Sequence, residues 1–121
     1  MAKAAFLDNI ISADGTIEPD RFNHILRITR TELALASGLP RDSVSKSAHL
    51  RAQPTQKRLR EVAEVINRVR LWTSSVQQAF AWYRSQPIPS FGDQTAEDLV
   101  RADRAEHVLS YLARIAVGGY A

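Results

Sequence analysis

Thr29-Arg30-Thr31-Glu32-Leu33-Ala34-Leu35-Ala36-Ser37-Gly38-Leu39-Pro40-Arg41-Asp42-Ser43-Val44-Ser45-Lys46 is the stretch whose reading sets the fold. Thr29 and Glu32 have capping-box spacing: the threonine hydroxyl accepts from the third helical amide, and the glutamate carboxylate returns to the Thr29 amide. Ile28 and Leu33 supply the hydrophobic staple, so a helix starts at Arg30. Gly38 ends it, because a residue without Cβ takes the left-handed conformation cheaply. Pro40 then fixes the backbone at the start of a further helix over residues 41–49. Ala34, Gly38 and Val44, with Leu33 and Leu39 beside them, match a helix-turn-helix: a small residue at the crossing, a glycine in the turn, an apolar anchor beyond it. The late apolar anchor is missing, since position 47 is serine. A plain helical hairpin with solvated arginines is the competing reading.

On either side, apolar residues recur at three and four positions, and no segment alternates cleanly beside a hairpin turn. The fold class is therefore all-α. Residues 1–16 read as an N-terminal arm or short helix broken at Asp14-Gly15, and Pro19 opens a helix carrying Phe22, Ile25, Leu26 and Ile28. Residues 17–71 make the helix-turn-helix-like part. Its last helix follows Pro54, with Leu59, Val62, Ala63, Ile66 and Val69 on one face. Residues 72–121 form a second part. One helix there starts at Ser74 or Ser75, carries Val76, Ala79, Phe80 and Tyr83, and ends before Pro87 and Pro89. Thr95 caps a short helix, and Asp103 with Glu106 repeats the device before a last helix with Ala105, Val108, Leu109, Leu112, Ile115 and Ala116 in one stripe.

The 121 residues suit one small domain or two very small ones, and 45% hydrophobic with 24% charged residues suits a folded core. The absence of cysteine excludes disulfides and thiolate chemistry and agrees with a cytoplasmic setting. The early apolar run Ala4-Ala5-Phe6-Leu7 is too short for a signal-peptide core, and no stretch approaches a membrane span. The net charge of +3 is uneven: residues 1–70 hold 12 Lys+Arg against 8 Asp+Glu, with 8 against 3 in residues 41–70, whereas residues 71–121 hold 4 against 5. Such a division implies different partners for the two parts, the first a polyanion. Arg41, Asp42, Ser43, Ser45, Lys46 and His49 are the outward residues of the reading helix, of which Arg41, Ser43, Ser45, Lys46 and His49 are candidate operator-DNA contacts.

Nothing in the chain assembles a catalyst. His24, His49 and His107 lack metal-pair spacing, and the serines stand outside any nucleophile elbow and suit helix caps. Glu97-Asp98 and Asp103 with Glu106 are explained by helix-end electrostatics, and there is no glycine-rich phosphate loop. No cofactor and no metal is expected.

The segment Trp82-Tyr83-Arg84-Ser85-Gln86-Pro87-Ile88-Pro89-Ser90-Phe91-Gly92-Asp93-Gln94-Thr95-Ala96-Glu97-Asp98-Leu99-Val100 is followed by Arg104-Ala105-Glu106-His107-Val108-Leu109-Ser110-Tyr111-Leu112 and ends on Gly118-Gly119-Tyr120-Ala121. It resembles the toxin-binding domain of Xre/MbcA/ParS-type antitoxins. The terminal Gly-Gly-Tyr-Ala looks closest to the ParS branch, and with the helix-turn-helix half the likeness spans residues 17–121. The resemblance implies a type II antitoxin encoded beside a RES-domain toxin that consumes NAD or transfers ADP-ribose. It maps the toxin-blocking role onto Gly118, Gly119, Tyr120 and Ala121, with Arg101 and Arg114 as further toxin contacts and the complex a toxin–antitoxin assembly or homo-oligomer. Two glycines deliver a slim backbone into a cleft, and a tyrosine ring suits a nucleotide-shaped pocket. Trp82 and Phe91, beside the Pro-x-Pro loop, read as its anchors. The competing function is a stand-alone helix-turn-helix regulator whose C-terminal part dimerises.

Overall fold

The computed structural model describes the backbone of residues 2–45 and 47–118 and the side chains of residues 6–45 and 49–117. Among them the regular structure is helical, as expected. α1 (Ala2–Ile10) buries Phe6 and Ile10, with the Phe6 ring edge-on to Phe22 at 6.0 Å. A turn follows, closed by an isolated antiparallel bridge between Ile11 and Ile17. Gly15, at φ 86, makes its reversal possible, and the Asp14 carboxylate is held by the Ser12 hydroxyl, the Thr16 amide and Arg51.

α2 (Pro19–Leu26) starts on its proline and ends earlier than the apolar spacing predicts. The reason is Arg27, which turns left-handed at φ 61, so that Ile28 lies beyond the helix and donates its amide to the Asn23 carbonyl. α3 (Arg30–Ser37) has the predicted capping box: the Glu32 amide donates to Thr29 Oγ1 at 3.0 Å and the Thr29 amide to Glu32 Oε1 at 2.9 Å. Gly38, at φ 71, ends it as expected. α4 (Arg41–Ser45) and α5 (Ser47–Leu50) follow as short helical segments on either side of residue 46.

α6 (Gln53–Val69) is the central helix; Leu59, Val62, Ala63, Ile66 and Val69 are buried on its predicted face, and Val65 joins them. It tightens into a 3-10 turn over Arg70–Trp72. α7 (Val76–Ser85) is capped by Ser75. The Pro-x-Pro loop then makes a 3-10 turn over Pro89–Phe91, pinned by an Ile88–Gln94 bridge. α8 (Ala96–Arg101) has a second capping box, Thr95 with Asp98.

Asp103 does not cap the last helix, α9 (Ala105–Gly118). It sits left-handed at φ 64 just past α8 and faces Lys57 at 3.6 Å and Arg58 at 3.5 Å, so an ion-pair role replaces the expected cap. One cluster of buried side chains runs from Phe6 through Leu33, Val44 and Ile66 to Leu112, drawing on both parts of the chain. No helix among the described residues is long and apolar enough to cross a membrane.

Candidate partner-binding surfaces

The turn between α3 and α4 is built around Gly38. Its amide reaches back to Leu35 O, the Leu39 amide reaches Ala34 O, and Ala34 and Val44 are buried where α3 and α4 meet. Arg41 and His49 are exposed and Ser43 is half-buried. Ser45 differs: its hydroxyl is enclosed, with no hydrogen-bond partner among the described residues, so it is not turned toward solvent with Arg41. Lys46 lies outside the described residues.

The basic excess of residues 41–70 is tied up inside the molecule to a degree that sequence counting misses. Arg51 pairs with Asp14 at 2.8 Å, Lys57 with Glu61 at 2.9 Å, and Arg68 with Glu64 at 3.2 Å. Arg58 is half-buried, donating to Ser37 O at 2.8 Å while facing Glu61 and Asp103. Asp14 and Asp103 both come from outside the segment, so the excess in space is smaller than the excess in sequence.

The carbonyls at the end of α3 are satisfied by side chains from elsewhere. Arg58 takes Ser37 O, and the Tyr83 hydroxyl donates to Ala36 O at 2.7 Å. Burial, then the nearby Glu97 carboxylate, holds the Tyr83 hydroxyl protonated well above the usual tyrosine range. Arg84 stacks over Phe80 at 5.6 Å, pairs with Glu97 at 3.0 Å and reaches toward Glu32 at 4.0 Å. The C-terminal end of α3 is thus tied to α7 by Tyr83 and to α6 by Arg58, while Arg84 links α7 to α8 through Glu97.

At the other end of the molecule, α9 leaves the core. Ala105, Val108 and Leu112 are buried, but Ile115 is only half-buried, Ala113, Arg114 and Ala116 are exposed, and Val117 is 90% exposed. The predicted stripe therefore stops being a core stripe one turn before the helix does. Ile115 lines an open groove of about 600 Å³ with Leu71, Trp72, Thr73 and Ser74. Leu71 is 51% and Trp72 41% exposed. Leu71, Trp72 and Ile115 thus place partly exposed apolar side chains around one groove. They escape a sequence search because they stand where one helical stripe ends and no motif marks them.

Arg114 is exposed on this last turn, and Gly118 is the last described residue of α9. Gly119, Tyr120 and Ala121, the core of the expected blocking segment, lie outside the described residues. Arg101 lies against the turn after α3: a Cβ on Gly38 would stand 3.2 Å from its Cα, Cβ and Cγ. Trp82 and Phe91 pack partly buried on the core, Phe91 edge-on to His107 at 6.1 Å and Tyr111 at 6.0 Å. Among the described residues no group of three His, Asp or Glu is placed to hold a metal ion. No family model, no curated protein and no solved structure matches the chain.

Proposed function

We propose that the chain is an antitoxin that silences a RES-type, NAD-consuming toxin by carrying its own C-terminal segment into the toxin's nucleotide cavity, with no chemistry on the chain itself. The observation that supports this most is the end of α9: after Leu112 it gives up its packing while remaining helical and apolar, with Val117 almost wholly exposed. Burying a side chain of that kind contributes about 1.5–3 kcal/mol, which a partner recovers and water does not. Leu71, Trp72 and Ile115 supply a footing beside it, and residues 118–121 are the plug the family resemblance implies. Co-expression of the toxin with the chain ending at Val117 tests it: cells protected by the full chain should stop growing. Unchanged protection would reject occlusion.

Operator binding through α4 and α5 is a second activity of the same reading, favoured by exposed Arg41 and His49 beside a left-handed Gly38 turn. It predicts phosphate-dominated, salt-sensitive association.

A further inference from the structure

Arg41 and Arg101, sixty positions apart and given different partners by the sequence reading, line one open groove of about 380 Å³. Its floor and walls are Ala34, Leu35, Gly38, Leu39 and Pro40, with Thr31 at one end. Leu35, between the buried Ala34 and Ala36 of α3, is 49% exposed there. Both arginines are exposed, and no carboxylate stands among the groove's described lining residues. The close approach of the Arg101 backbone to Gly38 keeps α8 against the turn, so the second cation has a fixed base.

An apolar floor between two cations selects its occupant by chemistry. A nucleic-acid backbone would meet the arginines but gain nothing from Leu35, Leu39 and Pro40, and would be desolvated against them. A neutral apolar segment would leave the guanidinium groups without counter-charge. A peptide bearing an apolar side chain flanked by carboxylates satisfies both, each carboxylate meeting the planar fork of an arginine. We propose that this groove is a docking site for an acidic, apolar-centred segment of a protein partner, separate from the surface at the end of α9 and independent of whether the chain blocks a toxin.

The test uses the full chain, labelled with ¹⁵N, and two synthetic probes: acetyl-Asp-Glu-Leu-Phe-Glu-Asp-amide, and the same peptide with Ser-Ser in place of Leu-Phe. The first should give saturable shifts of the Leu35, Gly38, Leu39 and Arg101 amides, and the second should bind at least about ten-fold more weakly, which is the burial of one apolar side chain. Arg41→Gln and Arg101→Gln should each weaken the first probe by about two- to five-fold, the effect of one exposed ion pair, and Leu35→Ser should remove most of the binding while the rest of the spectrum stays in place. Equal binding of the two probes, no saturable shift at millimolar peptide, or shifts of the same amides produced only by a duplex DNA would each overturn the proposal.

Discussion

Gly38 carries two constraints at once, a backbone at φ 71 and the Arg101 Cα only 3.2 Å from where a Cβ would stand. Gly92 has the first constraint, at φ 65, and open space for the second. Gly38→Ala should therefore cost about 1–2 kcal/mol for the left-handed backbone and more for the contact, whereas Gly92→Ala should cost only the backbone part. Urea midpoints at unchanged slope check this, and equal losses would show that α8 yields freely. Asp14 makes a prediction about acid. The Ser12 hydroxyl, then the Thr16 amide and hydroxyl, then Arg51 hold its carboxyl well below the usual aspartate value of 3.8. A lowered carboxyl contributes stability that is present above the ordinary value and lost as pH falls through the native one. The stability gap between the protein and Asp14→Asn should thus be constant at neutral pH and shrink below about pH 4. A gap that does not change between pH 7 and pH 2.5 would contradict the assignment.

Helix ends were legible in the sequence where a side chain announces them: Thr29 with Glu32, Thr95, Ser75 and Gly38 all act where their types and spacing put them. They were not legible where a residue works against its type. Arg27 and Asp103 turn left-handed without being glycine, which shortens α2 and moves Asp103 from a cap to an ion pair. Gln56 is another such case. No periodicity or motif assigns it a role, yet it is buried, accepting from the Ile17 amide at 2.8 Å and donating to Ile17 O and Leu50 O. Only the three-dimensional meeting of α6 with the turn after α1 reveals that role. Tyr83 is the corresponding tie for α7, and Tyr83→Phe leaves the Ala36 carbonyl without its side-chain donor at a cost of about 1–3 kcal/mol in chemical denaturation. A loss within about 0.3 kcal/mol would mean that another donor replaces it.

For the molecule as a whole, all-helical architecture followed from periodicity, whereas the placement of its charge and its apolar surface did not. Asp14 and Asp103 neutralise part of a basic run that is distant from both in sequence, so binding to promoter DNA should weaken with salt through few contacts, and Arg41→Gln should flatten the slope by about one. An unaltered slope would remove Arg41 from any DNA surface. The exposed end of α9 and the Leu71–Trp72 groove lie where core stripes run out, a condition that no residue count detects. NAD turnover by the purified toxin, titrated with the chain, reports whether this end delivers a plug. The full chain should abolish turnover at a stoichiometric ratio, and the chain ending at Val117 should still bind while turnover continues. Equal silencing by the shortened chain would contradict the account.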